Sequence, residues 1–207
     1  MVRPLTTLAA ALLFVGANPV FAGSNTDLTV SGTITPSACK LMISDGGEVD
    51  YGKMSTKQLN QNQHTLLPSQ TLDFKVECEG PTVFMMTTID NQSGTSSNHE
   101  SWHGLGTTAD GENLGGSGFR LLNPMADNVA ALIITSLDGG ATWQPSPQLS
   151  HMVLTAVALS SAPAAPMAVE NFTAQIELDT HIAPAAGLTV NDDVPLKGSA
   201  TLQVKYL

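Results

Sequence analysis

Few side chains in this chain of 207 residues are placed to do chemistry. Cys39 and Cys78 are the two thiols, and the choices they offer are a disulfide, a metal pair or a redox site. There is no C-x-x-C and no histidine at ligand spacing, which weighs against the last two. His99, Glu100, His103, Asp110 and Glu112 fall in one Gly-rich stretch, but their spacing fits no metal-ligand pattern, and no metal is expected. Trp102, in the same stretch, is placed either to stack on a sugar or to plug the end of a β structure, and Trp102 with His103 forms a candidate ligand loop. His151 and His181 stand alone near strand ends. No nucleophile elbow, supported Ser/His/Asp order or phosphate loop is present, so no catalytic residue and no cofactor are expected.

Ser136-Leu137-Asp138-Gly139-Gly140-Ala141-Thr142-Trp143 fits S-x-D-x-G-x-T-W, the Asp-box pattern of sialidase propellers. It occurs once, and a chain of this length cannot build a propeller of six four-stranded blades. Basic residues are too scattered to bind an acidic sugar. The expectation is a hairpin turn shaped by Asp138 and Gly140, with Trp143 packed beneath it.

Compartment decides between the readings of the cysteines. Arg3 supplies a basic start, Leu5 to Val15 is apolar, and Val20-Phe21-Ala22 suits cleavage, so residues 1–22 read as a secretory signal peptide. No later stretch is apolar for long enough to span a membrane. In an exported chain, two cysteines read as one disulfide, Cys39 to Cys78. Counting both ends, its loop holds 40 residues. Taking 22 residues from 207 leaves 185, enough for one domain with a core of its own. Without Arg3, 7 basic residues face 18 acidic ones, which argues against nucleic acid or an anionic membrane as partner.

The elements that must position these residues are strands. Leu28, Val30, Gly32 and Ile34 alternate with Thr29, Ser31, Thr33 and Thr35, the period of a strand with one buried face, and Pro36 ends the run. Cys39, Leu41 and Ile43 open a second alternation; Leu72, Phe74, Val76 and Cys78 form the strongest one, with Glu79-Gly80-Pro81 predicted to break it. Val49 with Tyr51, Val83 to Ile89, Phe119 with Leu121, Ala131 to Thr135, Val153 to Leu159, Phe172 to Leu178, Leu188 with Val190, and Leu202 to Tyr206 complete the set. Asn91 to Gly118, rich in glycine, reads as long surface loops with at most a short strand. No stretch holds a helical period over three turns, and short strands between Gly/Pro turns argue for a β-sandwich.

Taken together, three features resemble the subunits of chaperone–usher fimbriae, and more closely a branch of pilin-like proteins of undefined role. Gly32-Thr33-Ile34 runs into Cys39. Phe74-Lys75-Val76-Glu77-Cys78 ends at a second cysteine. Ala200 to Leu207 alternates and carries a penultimate aromatic, Tyr206. The resemblance implies an all-β, immunoglobulin-like (pilin-type) sandwich over residues 30–207 that is incomplete, lacking its final strand. Another molecule's strand would fill the gap. Val30, Ile34, Leu202, Val204, Tyr206 and Leu207 would then line the groove.

Residues 23–29 would be a short N-terminal extension, with Asn25, Thr26, Asp27, Leu28 and Thr29 as this subunit's own donor segment. That segment is short, which points to a minor or adapter-like subunit. The partners implied are a periplasmic chaperone, an outer-membrane usher and other fimbrial subunits. The location implied is the periplasm in transit, then the cell surface, with a role in adhesion. The alternative expectation is a secreted or tip-located glycan-binding module.

Overall fold

The computed structural model of the protein describes residues 39–162 and 164–206. The predicted first strand and donor segment, with Val30, Ile34 and Asn25 to Thr29, lie outside the described residues, as does Leu207. In chain order the described strands are β1 (Cys39–Ile43), β2 (Thr65–Leu66), β3 (Gln70–Thr82), β4 (Phe84–Asp90), β5 (His103–Gly104), β6 (Gly115–Ala126) and β7 (Val129–Ala130). They continue as β8 (Leu132–Ser136), β9 (Gln144–Pro145), β10 (Gln148–Leu149), β11 (Leu154–Ala158), β12 (Val169–Ile182) and β13 (Ala200–Tyr206). Among the described residues the only helical turns are short 3-10 segments, and no helix is long and apolar enough to cross a membrane.

Two antiparallel sheets pack face to face. One has the order β1-β3-β12-β6-β10, the other β13-β4-β11-β8-β9. The fold is an all-β sandwich, and the alternation read from the sequence is what builds it. On β3, Leu72, Phe74, Val76 and Cys78 are buried while Asp73 and the charged side chains of Lys75 and Glu77 face outward. On β12, Phe172, Ala174 and Ile176 face the same interior. Phe172 is the hub: Phe74 and Phe84 each meet its ring near-edgewise, with centroids 6.2 Å away. Each such buried ring contributes about 1.5–3 kcal/mol from area alone; the Phe84–Phe172 pair crosses from one sheet to the other, while Phe74 and Phe172 stand on neighbouring strands of one sheet.

The central strands of the second sheet, β4, β8 and β11, are buried on both faces. Met86, Ile133 and Val157 point into the main core, while their neighbours Met85, Ile134 and Ala156 form a smaller apolar cluster on the outer face with Trp143. A third cluster, at one end of the sandwich, joins Leu67, Leu105, Leu114 and Ile182 to Tyr51, Met54, Leu59 and Leu196.

Four expectations need correction. β3 does not stop at Glu79 but runs through Gly80 and Pro81 to Thr82, because the ladder with β12 absorbs an irregularity between Val169 and Asn171 and resumes at Val169–Thr82. Val49 and Tyr51 form no strand; Tyr51 serves the end cluster and donates from Oη to Thr180 Oγ1 at 2.9 Å. Leu188 and Val190 form none either, following a 3-10 turn at Ala185–Gly187. Finally, Asn91 to Gly118 is not surface loop throughout. His103, Gly104, Leu105, Gly106, Thr108, Leu114, Gly115, Gly116 and Ser117 are buried, and at Gly104, Gly116 and Gly118 the missing side chain makes room for a neighbour. A Cβ on Gly104 would come within 2.5 Å of the carbonyl of Gln92, and one on Gly118 within 2.6 Å of the Trp102 indole.

Candidate functional site

A two-sheet sandwich has two open sides, and this one treats them differently. On one side the chain itself crosses between sheets. Leaving β9, Ser146 donates its N–H to the carbonyl of Ile133 in one sheet, and Leu121 of the other donates to the carbonyl of Pro147. Gln148 and Leu149 then pair with β6, while Thr155 Oγ1 reaches back to the Gln148 carbonyl at 2.8 Å. That side is closed.

On the other side lie β1 and β13. β1 pairs with β3, residue for residue from Cys39–Cys78 to Ile43–Phe74, and the Cys39–Cys78 disulfide pins it there. β13 pairs with β4 over its full length, Ala200–Asp90 to Tyr206–Phe84. Among the described residues neither strand has a second ladder partner, and no ladder joins them to each other. A clasp links them, the Cys39 N–H donating to Tyr206 Oη at 2.9 Å.

Away from that clasp a cavity of 320 Å³ opens, with Ile43, Leu72, Leu178, Leu196 and Leu202 among its walls. Its deeper lining is polar: Thr88, His103, Ser117 and Thr180. Thr88 Oγ1 lies 2.7 Å from His103 Nε2, and Ser117 Oγ lies 2.9 Å from Thr180 Oγ1. His103 is 2% exposed and stacks on Phe119 at 4.2 Å. Burial holds its imidazole below the ordinary value, against the opposing pull of the Ser117 carbonyl and the Asp90 carboxylate, with His151 pushing the same way as burial.

The sequence-predicted residues divide accordingly. Leu202 lines the cavity; Leu202 and Val204 both pack on the main core; Tyr206 makes the clasp. Trp102 and His103 are not brought to one site: His103 opens β5, while Trp102 lies in the bend just before it. His103 points inward to the cavity, and Trp102 lies outside, against Gly118 of β6. His151 and His181 are not lone. The first lies 5.3 Å from His103, ring to ring, and the second 4.9 Å from Trp102. Of the stretch weighed for metal, Glu112 accepts from Thr108 and Thr189, and among the described residues no three His, Cys, Asp or Glu converge as ligands.

Asp138 shapes the predicted hairpin turn, accepting from Ser136 Oγ, Thr142 N and Thr142 Oγ1 at 2.7, 2.9 and 2.6 Å, which holds its carboxyl far below the usual range. Trp143 Nε1 donates to the Gly140 carbonyl at 3.0 Å, and β8 pairs with β9 across the turn. Sequence reasoning missed Thr88, Ser117 and Thr180 as lining of the cavity. Buried hydroxyls look like any strand threonine or serine until the sheets are stacked.

Comparison with known proteins gives a family described as "Protein of unknown function (DUF1120)", matched by residues 28–103. The chain is 26% identical to protein GltF of Escherichia coli (strain K12) over 250 residues, covering 99% of this chain and 98% of that protein. It is 22% identical to the uncharacterized protein YhcF of the same organism over 221 residues, 90% and 92% of the two chains.

Proposed function

We propose that this chain is an exported structural subunit that accepts a strand from another molecule in the gap between β1 and β13, as the subunits of chaperone–usher fimbriae do. The observation that carries the reading is the contrast between the two sides of the sandwich among the described residues: one is sewn shut by residues 144–149, while the other is bounded by β1 and β13, which no ladder joins, beside a part-apolar cavity. An edge such as that of β13 offers backbone donors and acceptors to an incoming strand. The apolar walls at Ile43, Leu72, Leu178 and Leu202 supply pockets for its alternate side chains. In this reading the chaperone holds the gap in the periplasm, the usher exports the subunit, and a neighbouring subunit's strand replaces the chaperone's on the cell surface, where the assembly contributes to adhesion. The role is structural rather than catalytic.

The test is to co-express the full chain with a periplasmic fimbrial chaperone and purify by a tag on either partner. A one-to-one complex is expected, lost on Leu202→Glu. The chain alone is expected to self-associate or to unfold at low denaturant. A chain that is monomeric and cooperatively stable by itself, and that captures no chaperone, would overturn the proposal.

A further inference from the structure

Trp102 lies in the wall of two hollows that mix polar and apolar groups. The first, of 360 Å³, has Asp90, Ser96, Asn98, Glu100, Trp102 and His151 in its wall. The second, of 320 Å³, includes Ser101, Trp102, Arg120, Gln148 and Asp179. Both volumes fall at the small end of the range of ligand sites, about 300–1,000 Å³.

The loop that forms the first hollow is built, not slack. Thr95 donates from both N and Oγ1 to the Gln92 carbonyl, at 3.1 and 2.7 Å. Ser96 Oγ donates to the His99 carbonyl at 2.8 Å, Asn113 Nδ2 to the Gly94 carbonyl at 3.3 Å, and Trp102 N–H to the His99 carbonyl at 3.1 Å. Against this fully bonded background two atoms stand out. Among the described residues, the buried side-chain polar atoms without a hydrogen-bond partner are Asn98 Nδ2 and His151 Nδ1, and both residues belong to the wall of this hollow. Buried polar atoms are so generally satisfied that two orphans in one wall call for a reason.

The charges narrow the ligand. Arg120 is held by both Glu177 and Asp179 at 2.6 Å, so it offers N–H groups without a net positive charge. Asp90, Glu100 and Asp179 add negative charge. Phosphate, sulfate or a carboxylated sugar would be repelled. A neutral sugar fits. Its C–H face packs on an indole, and its hydroxyls both donate and accept, matching amide, imidazole, hydroxyl and carboxylate groups.

The geometry points to a saccharide site centred on Trp102, with a subsite on either side, selective for uncharged sugars. Trp102, Asn98 and Gln148 are not among the walls of the cavity between β1 and β13, so substitutions there test the sugar site separately from strand acceptance. The experiment is saturation-transfer NMR on the full chain with methyl α-mannoside, N-acetylglucosamine, lactose and cellobiose, and sialyllactose as the acidic counterpart. At least one neutral sugar is expected to bind in the millimolar range through its ring C–H protons. Asn98→Ala should weaken it several-fold and Trp102→Ala tenfold or more, with sialyllactose binding more weakly than lactose. Should Trp102→Ala fail to fold, Gln148→Ala and Asn98→Ala decide between them. No binding by any neutral sugar, binding untouched by these substitutions, or a preference for sialyllactose would overturn the inference.

Discussion

The Cys39 N–H and the Tyr206 phenolic oxygen meet at 2.9 Å although 167 residues separate them, and this bond ties the first residue of β1 to the last of β13. It spans the side of the sandwich where, among the described residues, no ladder runs. Tyr206 is 38% exposed, so water competes for the bond. Its net worth belongs at the lower end for hydrogen bonds, about 0.5–1 kcal/mol. Tyr206→Phe, which keeps the ring, is expected to lower the urea unfolding free energy by that amount. Lys205→Ala, at the next position on the opposite face, should change it by less than about 0.5 kcal/mol. Equal losses for the two substitutions would show that the clasp has no special part in closing the seam.

The disulfide acts on the same edge from the other direction. Among the described residues β3 is the ladder partner of β1, and Cys39–Cys78 sits at the end of that ladder nearest the clasp. Closing a loop of this length costs the unfolded chain entropy worth about 4 kcal/mol. Cys39→Ala/Cys78→Ala is expected to lose most of that in urea unfolding. The described end of β1 should also become the first segment cleaved in limited proteolysis. If the double variant unfolds at the wild-type midpoint, the bridge is not what anchors β1.

How far the sequence reveals this architecture depends on which residue is asked. Phe74 and Phe172 sit in clean period-two runs, and such runs specify which face is buried, so the main core was legible. Asp138 was legible too, because a turn is local and its bonds reach only to Ser136 and Thr142. Pro81 misled, since a proline reads as a strand end unless a distant partner accommodates it, and that partner, Val169, is fixed by sheet stacking. The glycines of 104–118 misled more. Glycine signals a loop by itself but also marks close approach of another segment, and only the fold distinguishes them. The hydroxyl and imidazole lining of the cavity had no pattern to betray it, because Thr88, His103, Ser117 and Thr180 come from four different strands.

Acid should loosen the protein through His103. Held neutral by burial, its imidazole titrates lower in the folded chain than in the unfolded one, where the ordinary value is 6.5. Between those two values the unfolded chain binds a proton that the folded chain refuses. The stabilisation is therefore complete above pH about 6.5 and declines as the pH falls towards the folded value, then levels off. The groups facing the ring are Asp90 and His151, with Thr88 and the Ser117 carbonyl at its nitrogens. His181, held low by partial desolvation and by His64, adds to the slope. Urea unfolding at intervals from pH 7.5 to 5 is expected to be level down to about pH 6.5 and then to lose stability, at most about 1.4 kcal/mol per pH unit for each proton. His103→Gln should flatten that slope. A wild-type curve that is flat over this range, or rises towards acid, would contradict the role assigned to the buried ring.

Gly118 and Trp102 give a last test that links the fold to the surface site. A Cβ at residue 118 would lie 2.6 Å from Trp102 Cε2 and 2.9 Å from Nε1. The indole is rigid and also packed against His181, ring centroids 4.9 Å apart, so it cannot yield by a small rotation. Gly118→Ala should therefore displace the whole side chain into water, at a cost of about 1–3 kcal/mol. The chain has two tryptophans, so the measurement belongs in a Trp143→Phe background, where emission comes from Trp102 alone. There Gly118→Ala is expected to shift that emission to the red and to abolish sugar binding together. A shift without loss of binding would mean that the sugar does not need Trp102 seated on β6. Unchanged emission would mean that the strand has room for a methyl group that this packing denies it.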